Sequence, residues 1–155
     1  MFGIEKVGMG EIDRIRPLWQ KLIEANADNS PYFKEYYGTF DFEIRKGFLR
    51  EKLASGAELY TAVLVDADTQ TDAGFVTATY NREESFGEIE MLYLREEYRG
   101  QGMGRKLFQL ALSCLDVNGI RDRKLCVTYG NDAALRLYQS FGFYPFAIDC
   151  LQKDQ

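Results

Sequence analysis

Apolar positions along this chain change period several times, and each change marks an element. Residues 2–7 read as a short first strand. Ile12, Ile15, Leu18, Trp19, Leu22 and Ile23 then recur at helical spacing between Glu11 and Ala25. Pro17 inside that stripe predicts a kink, or a helix that starts later than Gly10. Residues 26–31 are rich in turn formers. An aromatic stretch without a clean period follows from Pro31 to Phe42, and a second helix is expected from Asp41 to Ala54 with Asp41 as its N-cap. Glu58–Val65, Ala73–Tyr80 and Phe86–Leu94 are three β-prone runs separated by polar turns, which predicts an antiparallel meander. Apolar residues next cover more than one face of a helix from Met103 to Asn118, closed by Asn118-Gly119. Lys124–Thr128 reads as a strand buried on both faces, Asn131–Ser140 as a short helix capped by Asn131 or Asp132, and Phe143–Leu151 as a last strand. The strand–helix–strand order implies a parallel pair at the centre of the sheet with a right-handed crossover. The expected fold is therefore α/β: a mixed, mostly antiparallel sheet of six or seven strands with about four helices, in one domain over residues 1–155.

Composition narrows the chemistry. Apolar residues make up 46% of the 155, enough for one substantial core. No run approaches the roughly 18 apolar residues of a membrane span, and the N-terminus lacks a basic-then-apolar leader, so the expected place is the cytoplasm and no membrane partner is expected. The three cysteines, Cys114, Cys126 and Cys150, lie in apolar stretches without metal-ligand spacing, and are expected as buried, reduced thiols. Histidine is absent, which removes Ser-His and Cys-His nucleophiles and the commonest metal ligand. Any general base is then a carboxylate, tyrosine, lysine, cysteine, terminus or water. A net charge of −5 argues against nucleic acid and favours a cationic partner.

The organising stretch runs from Gly87 to Asn118. An apolar strand, Ile89–Leu94, meets a glycine turn, Arg99–Gly104, and a long helix follows. Unpartnered N–H groups at a helix start attract anions, and glycines let an anion approach them. A nucleoside triphosphatase loop fails on spacing, because Gly100, Gly102 and Gly104 alternate and no Ser or Thr follows Lys106. The dinucleotide fingerprint also fails, since its third glycine falls one residue later and the next strand offers no acid.

Arg99, Gly102 and Gly104 do fill the pattern Arg/Gln-x-x-Gly-x-Gly/Ala. With Tyr93-Leu94, Glu97-Tyr98-Arg99-Gly100-Gln101-Gly102-Met103-Gly104, Asn131 to Tyr138, and Phe141-Gly142-Phe143, the chain resembles the GNAT family of acyl-CoA-dependent N-acetyltransferases over about residues 86–146. The resemblance implies acetyl-CoA as co-substrate and no metal. It places the pyrophosphate on the N–H groups of Gln101, Gly102, Met103, Gly104 and Arg105, beside Gly100. Arg99 and Arg105 either add charge there or are ordinary surface cations. The backbone of Leu92, Tyr93 and Leu94 would pair with pantetheine like an added strand, with the Leu92 N–H as oxyanion donor. Asn131 would hydrogen-bond the cofactor, and Tyr138 would protonate the leaving sulfur.

The base is expected from Glu88 or Glu90, two apart on one strand and so on one face. Glu90 is preferred as nearer the acetyl position, with a carboxyl raised by apolar surroundings; a bulge in the strand would reverse that choice. A lysine-like ammonium, with a pKa of about 10.4, must lose a proton before it attacks. The expected function is direct transfer of acetyl to an amine, with a small cationic metabolite favoured. Two other readings stay open: a peptide or protein N-acetyltransferase, and a non-catalytic acyl-CoA-binding module. The resemblance also admits a homodimer.

Overall fold

A computed structural model describes residues 1–153. The chain divides into two compact units, one joining Met1–Leu22 to Asp41–Cys126 and the other joining Ile23–Phe40 to the residues from Val127 onward.

The first unit is built on a five-stranded sheet in the order β1-β2-β3-β4-β5. Strands β1 (Phe2–Lys6), β2 (Glu58–Asp66), β3 (Thr71–Asn81) and β4 (Phe86–Leu94) pair antiparallel in sequence. The short β5 (Asp122–Leu125) joins β4 in parallel. The meander lies where the alternation of the sequence puts it. On β3, eight successive residues from Ala73 to Tyr80 are buried, so both faces of this central strand are covered. Thr61 and Thr77 are buried with them, and their hydroxyls satisfy each other at 3.2 Å, as buried polar groups must.

Helix α4 (Met103–Val117) lies on β2, β3 and β4. It buries Leu107, Phe108, Ala111, Leu112 and Leu115, one continuous stripe at helical spacing. Its end is closed by Asn118, and Gly119 turns the chain with φ +70°. Near the N-terminus a 3₁₀ segment (Met9–Ile15) passes into α1 (Arg16–Asn29). Pro17 is thus the second helical residue, where its missing N–H costs nothing. Helix α3 (Phe42–Ala54) starts at Asp41, whose carboxylate accepts from the Glu43 N–H at 2.7 Å. Lys46 on α3 is 6% exposed yet donates to Asp13 at 2.8 Å and Glu43 at 3.2 Å, tying this helix to the 3₁₀ segment.

The second unit, taken by itself, contains the single-turn α2 (Lys34–Tyr37) and α5 (Asp132–Gln139). Tyr37 Oη lies 2.7 Å from Thr128 Oγ1, and the Tyr32 and Tyr129 rings lie near-parallel with centroids 6.4 Å apart. Gly130 has φ +100°, and a Cβ there would stand 2.2 Å from the Asn29 carbonyl oxygen, so only glycine allows this crossing.

Four expectations need correction. Residues 143–153 form no strand, so the sheet has five strands rather than six or seven. The parallel pair consequently sits at the sheet edge, not its centre. β5 alternates exposed and half-buried side chains instead of being buried on both faces, because nothing lies beyond it in the sheet. The thiols are not all buried: Cys114 is half-buried, whereas Cys126 just past β5 and Cys150 in the unpaired tail are exposed.

Gly74 gives a test of the meander. A Cβ there would stand 2.6 Å from the Tyr93 carbonyl oxygen and 3.1 Å from the Leu94 Cα, both rigid backbone of β4. Gly74→Ala is expected to cost about 1–3 kcal/mol through overpacking. Gly87→Ala, whose new methyl meets the side chains of Leu115 and Ile120, should cost less. Urea unfolding of the two variants checks the order.

Candidate active site

Strand β4 carries the site, because its two edges are treated differently. Along one edge it pairs with β3 from Phe86 to Leu94. Along the other, β5 pairs only Phe86–Ile89. From Glu90 to Leu94 that second edge has no strand partner among the described residues; the Glu90 and Leu94 carbonyls are taken by Arg45 and Arg99, and the backbone between them has the extended form that a strand-like ligand pairs with. These five residues include Leu92, Tyr93 and Leu94.

The change of edge coincides with a bulge. Met91 pairs with Thr77 and Ile89 with Ala78, which leaves Glu90 as the extra residue. The Glu90 carbonyl instead accepts from Arg45 Nη2 at 3.3 Å. Its side chain is only 1% exposed and is surrounded by donors. Arg45 Nη2 donates to Oε1 at 2.9 Å, Thr79 Oγ1 donates to Oε2 at 2.6 Å, and Lys52 Nζ makes a short contact to Oε2. Lys52 also donates to Glu88 Oε1 at 3.0 Å. Glu88 and Glu90 therefore do share a face, with one lysine between them.

The electrostatics run against the raised carboxyl expected for Glu90. Burial pushes the Glu90 carboxyl up, but the hydrogen bonds from Lys52 and Thr79 and the charges of Arg45 and Lys52 outweigh it and hold the carboxyl below the usual range. Lys52 behaves symmetrically: burial lowers it, and Glu90 and Glu88 more than restore it, so it stays charged. The raised, proton-accepting Glu90 is thus not what the structure holds. Glu88, with 18% of its side chain exposed and Lys52 as its ion-pair partner, is the more accessible carboxylate. Arg45, Lys52 and Thr79 escaped the sequence reading. Arg45 and Lys52 stand seven residues apart on α3, two turns along one helix face, which is the signal that would have found them.

The glycine loop follows β4 through a 3₁₀ turn, Glu96–Tyr98. Gly100 and Gly102 have φ +82° and +79°, and Gly102 is the N-cap of α4. A Cβ on Gly104 would meet nothing within 4 Å, so no neighbour in the fold requires that glycine. The start of α4 therefore has the unobstructed backbone that an anion needs. Arg99 donates from Nε to the Leu94 carbonyl at 2.9 Å and lies over the Tyr93 ring at 5.5 Å, clasping the loop to the end of β4.

Asn131 and Tyr138 belong to the second unit. The Asn131 side chain accepts from the Ala134 N–H at 3.1 Å, which makes it the cap of α5. Tyr138 is 8% exposed, and burial pushes its phenol up to about 12. Gly142, with φ +88°, ends the helix while the Phe143 N–H donates to the Tyr138 carbonyl at 3.0 Å.

The model of the Acetyltransferase (GNAT) family matches residues 19–143, and the chain belongs to that family. A mycothiol acetyltransferase of Streptomyces coelicolor is 29% identical over 82 residues, which cover 53% of this chain and 26% of that protein. The match therefore spans about a quarter of that relative's length. A solved structure described as an acetyl transferase from Pyrococcus furiosus superposes with a TM-score of 0.71 at 21% identity, covering 99% of this chain and 100% of the other. The PaiA N-acetyltransferase of Thermoplasma acidophilum, solved with coenzyme A, gives 0.59 at 20% identity over 96% and 93%. These two likenesses describe the fold.

Two measurements test the cluster. Glu90→Gln leaves Arg45 and Lys52 facing a neutral group and is expected to cost about 3 kcal/mol, the low end for breaking a buried pair. Glu88→Gln should cost less than about 1 kcal/mol, as for an accessible pair. Because the folded-state Glu90 carboxyl is depressed, its stabilisation is present above the ordinary carboxylate range and is lost as pH falls through the depressed value. Thermal melts against pH should therefore show a steeper acid limb in the parent chain than in Glu90→Gln.

Proposed function

We propose that this protein moves acetyl from acetyl-CoA directly to a small cationic amine. The observation that carries the reading is the open edge of β4 from Glu90 to Leu94, followed at once by the bare backbone at the start of α4. Together with family membership, these features fit a ligand with an extended amide-bearing arm and a pyrophosphate.

Acetyl-CoA, when bound, supplies the thioester. Residues 101–105 hold the pyrophosphate, with Gly100 and Gly102 giving the loop its left-handed turns. Leu92, Tyr93 and Leu94 hold the pantetheine arm through their backbone, and the Leu92 N–H meets the negative charge that develops on the acyl oxygen. Glu88, directly or through water, takes the proton from the acceptor ammonium. Glu90 instead anchors Lys52 and Arg45, so that the strand keeps its bulge. The amine nitrogen forms its bond to the acyl carbon, the carbon–sulfur bond breaks, and sulfur leaves with a proton from Tyr138. A phenol pushed up to about 12 is fully protonated at neutral pH and serves as a donor. Asn131 lies at the start of the same helix and keeps the cofactor-binding role that the motif gives it.

Two features support a small cationic acceptor. The chain carries a net charge of −5. Within the second unit, Tyr32, Tyr36, Phe40 and Tyr129 are exposed, offering several aromatic faces to a cation. A relative named for mycothiol acetylation also fits a small-molecule acceptor.

Thiol release from acetyl-CoA across polyamines, amino acids, aminoglycosides and short peptides tests the proposal. Small amines are expected to stimulate release, with Tyr138→Phe and Glu88→Gln each lowering kcat at least about tenfold. Stimulation by peptides alone would move the protein-modifying reading ahead. Tight binding of acetyl-CoA without release for any acceptor would favour the binding module.

A further inference from the structure

Glu88 and Glu90 put two negative charges on one face of β4, and α3 answers them with two positive ones. The two cations are not equivalent. Arg45 serves only Glu90 within this cluster, through its carboxylate and its carbonyl. Lys52 is shared: its Nζ makes a short contact to Glu90 Oε2 and donates to Glu88 Oε1 at 3.0 Å. Glu90 is itself fixed by Thr79 at 2.6 Å. Lys52 is therefore tethered at a buried point, yet 37% of its side chain is exposed, against 18% for Glu88. The cluster puts no donor on Glu88 Oε2. Two neighbours complete the setting: Lys124 on β5 stands at the register of Glu88 and is exposed, and Thr79 on β3 stands at the same register from the other side.

A pair of carboxylates alone would be a poor site for amine chemistry. It would hold an ammonium firmly and favour the protonated form, whereas only the neutral amine attacks. Such binding stabilises the ground state and adds nothing to turnover. A fixed cation beside the same carboxylate works the other way: it opposes a second positive charge and leaves a neutral amine undisturbed. We propose that Lys52 is a positioning residue of the acceptor site: bridged to Glu90, it holds Glu88 Oε1 so that Oε2 meets the acceptor nitrogen, and its charge selects the acceptor in its neutral form. The proton that the acceptor gives up goes to Glu88 or its water and on to solvent. Lys52 keeps its own proton, because Glu90 and Glu88 outweigh the effect of burial, so it is a fixed charge and not a second base. A cationic acceptor is still drawn to the chain by the net charge of −5, and sheds a proton only at its reacting nitrogen. This role for Lys52 rests on the acetyltransferase reading and adds to it the charge state of the bound acceptor.

The test measures thiol release from saturating acetyl-CoA at neutral pH with ethylamine, ethanolamine, glycinamide and trifluoroethylamine, primary amines of similar size and falling basicity. In Lys52→Met, KM for ethylamine is expected to fall at least about threefold and kcat at least about tenfold, while both change less than about twofold for trifluoroethylamine, which is already neutral. Lys52→Arg, which keeps the charge, should hold the parent's ratio of ethylamine to trifluoroethylamine turnover within about threefold. A merely structural lysine would show a different pattern: kcat lowered alike across the series, or KM raised. Either result overturns the role, as does a ratio lost equally in Lys52→Arg. If Lys52→Met does not fold, Lys52→Gln, which can still donate to Glu90, is held to the same criteria. A parent chain inactive on all of these amines also overturns it, and thiol release with the wider panel of acceptors then shows whether the transferase reading falls as well.

Discussion

A carboxylate placed inside a protein stays charged only if donors replace the water it has lost. Glu90 meets that condition with Arg45, Lys52 and Thr79. Removing any one of these leaves a charge partly unmatched, so the four side chains act as a unit. They also have a geometric effect. The bulge turns the Glu90 carbonyl out of the ladder to β3, and Arg45 accepts the task of satisfying it. Where the bulge ends, β5 has already left β4. The ion cluster thus sits where β4 loses its second strand partner while it stays paired with β3 as far as Leu94.

Much of this was legible in the sequence, for identifiable reasons. The meander could be read because each run alternates and is bounded by turn residues. The Asp41 cap, the Asn131 cap and the end of α4 could be read because their signals are local. The carboxylate pair could be placed because Glu88 and Glu90 share one face of one strand. What escaped was non-local. Lys52 lies 36 residues from Glu88 and 38 from Glu90, so a reading of β4 alone assigns Glu90 an apolar setting and the opposite shift. The bulge at Glu90 depends on the register with β3, which the pattern of β4 alone does not report.

The tail failed for a different reason. Phe143 to Leu151 has strand composition, but a strand is defined by the partner it pairs with, and sequence pattern reports only side chains. The same gap misplaced the parallel pair. With no further strand among the described residues, β5 becomes an edge, and Cys126 just past it and Cys150 in the tail are exposed.

The position of β1 has a consequence for how the chain reaches this state. Phe2 pairs with Asp66 and Lys6 with Ala62, so the first strand must wait for the residues that receive it. β2, β3 and β4 meet through short hairpins whose loops close at small entropic cost, whereas docking β1 closes a loop of more than fifty residues. The hairpin set is therefore the expected nucleus, with the N-terminus adding late. During synthesis β1 emerges ahead of β2, β3 and β4, and would be among the last of these strands to find its place.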